Sequence, residues 1–174
     1  MLTSLKRRRQ RRDSALAAYN AIVARARDPA LFAAWSVPDT LDGRFELLAL
    51  HAFLVMNRLK REPSAKDFAQ TLFDIMFADL DRGVREMGST DEGVGRRVKA
   101  MARGFYGRVA AYDKGLADDT ELAAALRRNL FGTVQPAPES VAAVARYLHA
   151  QAAALAAIPA ETFLAGQVPF AAWP

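Results

Sequence analysis

The chain has 174 residues, of which 52% are hydrophobic and 25% are charged, and it contains no cysteine. These values are typical of one globular domain with a sizeable core, and they exclude disulfides, thiol catalysis, cysteine-ligated metals and wholesale disorder. The net charge of +5 is a local property, because residues 1–27 carry +7 whereas residues 28–174 carry −2.

The basic start of the chain is predicted to be a helix from about Leu5 to Arg27, because Pro29 follows and disfavours its continuation. A secretory signal also begins with basic residues, but the apolar stretch here is mostly alanine and is interrupted by Tyr19 and Asn20. We therefore expect a retained helix that docks on one side. The residues of its docking face recur at helical spacing and are Leu16, Tyr19, Val23 and Ala26.

The clustered cations divide the chain into two predicted parts, a basic helical arm of residues 1–29 and an all-helical domain of residues 30–174. An anionic surface is expected to bind the six cations Lys6, Arg7, Arg8, Arg9, Arg11 and Arg12. Lipid headgroups and RNA both supply such a surface, and a solvated flank without a partner is the third alternative. No apolar run approaches the length that a membrane-spanning helix requires.

Beyond the arm, helical signals dominate and no alternating strand pattern persists, which predicts a single all-α bundle of about six to eight helices. The predicted helices are 30–35, 44–61, 64–87, 89–115, 118–131 and 138–158. Pro38 and Gly43 are expected to mark a loop before the third helix of the chain, and Ser64 is expected to cap the fourth. The candidate caps of the third helix are Asp39, Thr40 and Asp42.

The third helix is apolar nearly all round, because only Glu46 and His51 interrupt the stretch FELLALHAFLVM. A helix of this kind belongs at the centre of a core. At the other end of the chain, a short turn is expected after Pro159. The tail that follows is expected to be irregular and anchored by Phe170 and Trp173.

The fourth helix carries several acidic residues, which suit either a metal or catalytic site or the wet side of an amphipathic helix. Its apolar stripe favours the second interpretation and comprises Phe73, Met76, Phe77, Leu80, Val84 and Met87. Asp81 and Arg85 have the spacing of an ion pair. A di-iron bundle would require Glu-x-x-His motifs, which this chain lacks, so we expect no metal, no cofactor and no catalytic residue. His51 is expected to be a buried histidine with Asp74 or Asp81 as its polar neighbour across a helix interface.

The fifth helix contains GFYGR, in which Gly104 and Gly107 are expected to permit close approach by a neighbouring element. Its predicted buried stripe is Val94, Val98, Met101, Phe105, Val109 and Tyr112. Its wet side carries Arg96, Lys99 and Arg103, which extend the positive surface.

Four blocks, taken in order, resemble the ubiquinol–cytochrome c chaperone family: WSVPDTLDGRFELLALHAFLVMNRL, FAQTLFDIMFADLDRGVREMG, DEGVGRRVKAM and FYGRVAAYD. The resemblance covers about Trp35 to Asp113 and depends on the ordered set. One departure is visible at Gly93 and Gly95, where better helix formers are expected, so the start of the fifth helix is expected to be frayed.

The resemblance implies an all-helical, non-enzymatic assembly factor for ubiquinol–cytochrome c reductase, the respiratory complex that oxidises quinol. It implies newly made cytochrome b as the client, a small partner protein, and action near the ribosome. A chain this short without a clear import sequence is similar to a bacterial member at the cytoplasmic face of the inner membrane. It implies no catalytic residues, and no cofactor, metal or DNA partner is expected. The alternative is a basic-arm adaptor that binds the ribosome, RNA or a membrane surface.

A highly apolar client requires an apolar surface that stays soluble while empty, and methionine adapts to varied partners. The candidate client-binding residues are Phe73, Met76, Phe77, Met87, Met101, Phe105 and Tyr106. Taken one by one, most of them are expected to be ordinary core residues.

Overall fold

The computed structural model describes residues 2–86 and 91–172, and all regular secondary structure in these ranges is helical. The helices are α1 Leu2–Ala26, α2 Pro29–Trp35, α3 Leu41–Leu59, α4 Lys66–Glu86, α5 Asp91–Gly115, α6 Asp119–Arg128, α7 Pro138–Ala156 and α8 Ala160–Leu164. A single 3₁₀ turn, Pro63–Ala65, directly precedes α4. The predicted all-α fold is confirmed.

Helix α3 lies at the centre of the bundle, as its composition predicts. Twelve of its 19 residues are buried, and it packs against α1, α4, α5 and α7. Its fully buried apolar side chains include Leu47, Leu50, Phe53, Leu54 and Val55. Because burying a side chain of this size contributes about 1.5–3 kcal/mol, α3 is the element around which the core is organised.

The first turn of α3 corrects the predicted loop. The hydroxyl of Thr40 accepts a hydrogen bond from the backbone N–H of Gly43 at 3.2 Å, so Thr40 caps a helix that begins before Arg44. Gly43 therefore lies inside the helix and does not mark a loop. A glycine is required there because a Cβ would overlap the carbonyl oxygen of Pro38.

Replacing Gly43 by alanine is expected to lower the free energy of unfolding by about 1–3 kcal/mol, because the new methyl group is forced against Pro38. Gly95→Ala is the matched control, since Gly95 is also helical but a Cβ there would meet nothing within 4 Å. The control is expected to stabilise the protein by about 0.5–1 kcal/mol. Urea denaturation measures both values, and equal stability of the two variants would contradict the packing at Pro38.

Helix α1 packs lengthwise on α4, and the two helices run in the same direction. The Arg11 guanidinium lies 2.8 Å from the Asp67 carboxylate, and further along both helices the Tyr19 hydroxyl donates to Asp79 at 2.8 Å. Burial, together with the bond to Asp79, raises the pKa of Tyr19, so this hydroxyl stays protonated and keeps donating. The Tyr19–Asp79 bond therefore ties the second half of α1 to the bundle.

The docking face of α1 is rotated from the predicted one. Ala15, Ala18 and Ile22 are fully buried, whereas Leu16 is 46% exposed, so its predicted place on the docking face is wrong. Tyr19 and Ala26 are buried and Val23 is half-buried, as expected. The second half of α1 thus shares the core of the bundle, and a separate arm of residues 1–29 stays a prediction.

Several predicted boundaries differ from the structure by about a turn. Because the 3₁₀ turn precedes α4, Ser64 is not its cap. Helix α6 ends at Arg128, before the predicted Phe131, with Asn129 as its C-cap. The segment after Pro159 forms the short helix α8 where a turn was expected. Met87, the predicted end of the fourth helix, and Trp173 lie outside the described residues, so their predicted roles stay predictions.

The C-terminal segment is fastened to the bundle by three hydrogen bonds at one residue. The backbone oxygen of Ala171 accepts from Arg25 at 2.8 Å and from the side chain of Gln151 at 3.0 Å, and its N–H donates to Gln151 at 2.9 Å. The ring of the preceding Phe170 packs edge-on against His51, with centroids 5.5 Å apart. The predicted anchoring by Phe170 is confirmed.

Candidate interaction surfaces

An apolar cleft opens between the end of α1, the start of α3, the end of α4 and the middle of α5. Its volume is about 180 Å³. Its walls include Val23, Leu48, Leu80, Val84 and Met101. A largely apolar cleft of this size accepts a small apolar group such as one large side chain.

Three local features create the cleft. Gly83 on α4 leaves it open, because a Cβ at that position would meet nothing within 4 Å. Phe45 forms part of its floor and is held by the Arg108 guanidinium, which lies 5.2 Å from the ring centroid. Leu41, which is 38% exposed, and Arg27 also line the cleft. A polypeptide segment that enters the cleft can therefore contact both an apolar side chain and a positive charge.

A second surface, which we call the aromatic surface, is formed by Phe73 and Phe77 of α4 with Phe105 and Tyr106 of α5. Phe73 packs on Phe77 with centroids 4.5 Å apart and stacks on Tyr106 at 5.4 Å. Phe105 lies 6.0 Å from both phenylalanines and is buried beneath them. Tyr106 is 60% exposed, and its stacking on Phe73 presents an ordered apolar face to solvent.

The seven predicted client-binding residues fall into distinct environments. Met76 and Phe105 are only 1% exposed and belong to the core. The half-buried residues are Phe73, Phe77 and Met101, and Tyr106 is the exposed one. Met87 lies outside the described residues. The structure therefore groups Phe73, Phe77, Phe105 and Tyr106 in the aromatic surface and places Met101 in the cleft.

The predicted anionic-surface residues occupy the first half of α1. Lys6, Arg7, Arg8, Arg9 and Arg12 are exposed. Arg11 is half-buried and pairs with Asp67, so it also fixes the first half of α1 to α4. None of the helices in the described ranges is both long and apolar enough to cross a bilayer.

A buried ion pair joins α3 to α5 beside the cleft. The Arg108 guanidinium donates to Glu46 through Nε at 2.6 Å and through a second nitrogen, and the two side chains are 19% and 8% exposed. The Glu46 carboxylate raises the pKa of Arg108, so the pair stays charged. Because Arg108 also covers Phe45, the pair sets the position of the cleft floor.

Gly104 makes room for this pair. A Cβ at Gly104 would lie 2.7 Å from a terminal nitrogen of Arg108, whereas a Cβ at Gly107 would meet nothing within 4 Å. The prediction that both glycines permit close approach by another element is therefore wrong. Gly104 accommodates a side chain of its own helix, and Gly107 is simply exposed.

His51 has a complete set of hydrogen bonds in the core. Its Nδ1 lies 2.7 Å from the Leu47 carbonyl oxygen, which can only accept, so Nδ1 carries the proton. Nε2 then accepts from the Tyr147 hydroxyl at 2.8 Å, and that hydroxyl accepts from Arg25 at 3.0 Å. Burial lowers the pKa of His51 to about 4, and the nearby Arg25 charge also lowers it. The prediction that Asp74 or Asp81 is the polar neighbour of His51 is therefore wrong.

Most acidic residues of α4 are engaged by side chains of α4 itself or of α1. Asp81 accepts from Arg85 at 2.6 Å, which confirms that predicted ion pair, and Asp74 accepts from Gln70 at 2.8 Å. Among the described residues, no group of three or more carboxylate or imidazole side chains converges as a metal site would require. These acids therefore act as the polar side of an amphipathic helix.

Sequence reasoning missed the cleft and the Glu46–Arg108 pair. The cleft combines four helices, and its residues Val23, Leu41 and Gly83 are far apart in the chain. One signal was available for the pair, because Glu46 is the single acidic residue in a stretch that is apolar apart from Glu46 and His51, and a buried carboxylate requires a cation. Which of the chain's many arginines supplies that cation depends on the packing of α5.

The sequence of this chain is similar to proteins of one known family. The family model described as ubiquinol-cytochrome C chaperone matches residues 33–173. The ubiquinol-cytochrome-c reductase complex assembly factor 1 of Xenopus laevis is 29% identical over 153 residues, which cover 87% of this chain and 76% of that protein. The human protein of the same name is 29% identical over 140 residues, covering 79% of this chain but 47% of its own length. The chain thus spans about half of that relative.

One solved structure resembles the whole chain. The crystal structure of the Cbp3 homolog from Brucella abortus is 38% identical in sequence and superposes with a TM-score of 0.85. The match covers 99% of this chain and 97% of that one. The arrangement of α1 to α8 is therefore shared with that protein. This includes α1, which precedes the residues that the family model matches.

Proposed function

Because the chain belongs to the ubiquinol–cytochrome c chaperone family, we propose that it is a non-enzymatic assembly factor that holds newly made cytochrome b during assembly of ubiquinol–cytochrome c reductase. The observation that carries the proposal is the family match over residues 33–173. It is supported by relatives whose names describe assembly factors of that complex. A helper of this kind must offer apolar contacts and remain folded while empty.

The cleft and the aromatic surface together meet that requirement. The cleft offers Met101, Leu48 and Leu80 to an apolar side chain, and the aromatic surface offers Phe73 and Tyr106 to a helix laid across α4 and α5. Both are built on rigid helices that the core holds in place. The client needs no rearrangement of Met76 or Phe105, which therefore contribute only indirectly.

Filling the cleft should weaken client capture without harming the fold. Gly83→Met adds a flexible apolar side chain at a residue that lines the cleft, and it improves helix propensity because it replaces a glycine. Losing the burial of one apolar anchor corresponds to a decrease in affinity of about tenfold or more. Affinity capture of the tagged chain from detergent-solubilised cells, followed by quantification of cytochrome b, measures the effect.

Gly95→Met is the matched control for this substitution. Gly95 is also an exposed helical glycine with open space at its Cβ, but it does not line the cleft. The control is expected to capture as much cytochrome b as the unmodified chain. If the Gly83 and Gly95 variants capture equal amounts of cytochrome b, the cleft is not part of the client-binding site.

The assembly role itself is tested by deleting the gene in its host. The expected result is loss of assembled ubiquinol–cytochrome c reductase, measured by b-type haem absorbance and by quinol-driven reduction of cytochrome c, with messenger levels of its subunits unchanged. Normal levels of the assembled complex would refute the proposal. A plasmid copy of the unmodified chain restores assembly if the loss is specific.

The location that fits this role is the cytoplasmic face of a bacterial inner membrane, where the client is inserted. Five exposed cations of α1, Lys6 to Arg9 and Arg12, can meet anionic headgroups there. Each cation near such a surface contributes about 1 kcal/mol, and this attraction falls with salt. Replacing these five by glutamine is therefore expected to release the protein from anionic vesicles at lower salt than the unmodified chain.

A further inference from the structure

Helix α5 carries a line of cations that the proposed client site does not use. Arg96, Lys99 and Arg103 are spaced by three and four residues, so they lie on one face of the helix. All three are exposed, and none makes an ion pair within the described residues. The exposed Tyr106 continues the same line one turn further on. We call these four residues the α5 stripe.

Several other exposed cations of the helical body are paired with carboxylates. Arg44 pairs with Asp39, Lys60 with Asp113, and Lys114 with Glu121. On the neighbouring helix, the Asp81 carboxylate is engaged by Arg85. Arg96, Lys99 and Arg103 have no such partner among the described residues, so their charge is available to an external anion.

The shape of the α5 stripe selects the kind of partner. Its cations extend for about 10 Å along an exposed, convex helix face, and none of the three lines the apolar cleft. A convex line of cations suits a flat anionic surface better than an enclosed anion. The cytoplasmic loops of membrane proteins are themselves rich in Lys and Arg, so such a loop would be repelled.

We infer that the α5 stripe is a second membrane-docking site, in which its three cations lie against the anionic phospholipid headgroups and Tyr106 enters the interfacial region when no client covers it. Tyrosine is favoured at that depth because its ring is apolar and its hydroxyl remains hydrated. The arm and the α5 stripe lie towards opposite ends of α4, since Arg11 contacts Asp67 whereas Leu80 and Val84 share the cleft with Met101. Two separate contacts fix an orientation on the membrane, which a single contact does not.

The test uses purified full-length protein and vesicles of equal parts phosphatidylcholine and phosphatidylglycerol, compared with phosphatidylcholine alone. Replacing Arg96, Lys99 and Arg103 together by glutamine is expected to lower partitioning onto the anionic vesicles about 100-fold, because three cations are lost. Tyr106→Ser is expected to give a smaller decrease that persists at high salt. Neither change should alter the circular dichroism, since these side chains are exposed and only Tyr106 contacts other rings, those of Phe73 and Phe105.

A matched triple variant replaces Arg61, Arg127 and Arg146, which are also exposed and unpaired among the described residues. It removes the same charge and is expected to keep most of the binding. Equal loss in both triple variants, or undiminished binding without the α5 cations, would overturn the inference. Loss of binding to a single-stranded RNA but not to vesicles would overturn it in favour of RNA. Because no client is present, failure here leaves the proposed assembly role unaffected.

Discussion

Replacing Arg108 by alanine is expected to lower the free energy of unfolding by about 3–5 kcal/mol, because Glu46 is then left buried without a counter-charge. The Glu46 side chain is 8% exposed and receives two hydrogen bonds from Arg108. The same substitution removes the cation that covers Phe45, so the cleft floor is expected to loosen. Urea denaturation measures the loss, and client capture should fall in parallel.

Two control variants separate the effect of the buried Glu46–Arg108 pair from the general effect of losing a surface charge. Lys114→Ala removes a partner from an exposed ion pair, whose side chains are 68% and 45% exposed, and is expected to cost less than about 1 kcal/mol. The combined Glu46→Gln, Arg108→Gln variant removes both charges and is expected to recover a large part of the stability lost in Arg108→Ala. If Arg108→Ala costs no more than Lys114→Ala, the pair does not stabilise this fold.

Acidification is expected to destabilise the protein through His51. The pKa of His51 is about 4 in the folded protein, whereas an ordinary histidine has a value of 6.5. Between about pH 4 and 6.5, His51 is therefore mostly protonated in the unfolded chain but mostly neutral in the folded protein. The contribution of neutral His51 is fully present above about pH 6.5, and about 3 kcal/mol of stability is lost as the pH falls to 4.

The measurement is the free energy of unfolding between pH 4 and 7 for the unmodified chain and for His51→Gln. The variant is expected to be less stable at pH 7 and to show a shallower pH dependence, because glutamine does not titrate. His149→Gln is the control, since His149 lies at the surface, half-buried and bonded to Asp119 at 2.8 Å, and its loss should leave the dependence set by His51. Identical pH dependence in all three proteins would contradict the pKa of His51.

The helical architecture could be predicted because its signals are local. The apolar periodicity of α4 and α5 and the nearly all-apolar composition of α3 identify buried faces without knowledge of their partners. The errors arose where a non-local contact decides the outcome. Gly43 was assigned to a loop because the approach of Pro38 is invisible in sequence, and Leu16 was assigned to a buried face that Ala15 and Ala18 occupy.

The candidate sites were predicted less well than the fold, for the same physical reason. Periodicity places Phe73 and Tyr106 on their helices, but only the packing of α4 on α5 shows that Phe105 is buried beneath them while Tyr106 is exposed. His51 was expected to find a carboxylate because buried imidazole needs a partner. A tyrosine 96 residues away supplies that partner, and no spacing rule could indicate it.

Site-specific photocrosslinking in cells tests the central proposal most directly. A crosslinking residue at Leu41, beside the cleft, or at Tyr106, on the aromatic surface, is expected to give an adduct with newly made cytochrome b. The same probe at Arg127, which is exposed on α6, is expected to give none. Absence of cytochrome b from the Leu41 and Tyr106 adducts, or equal labelling from Arg127, would contradict the account.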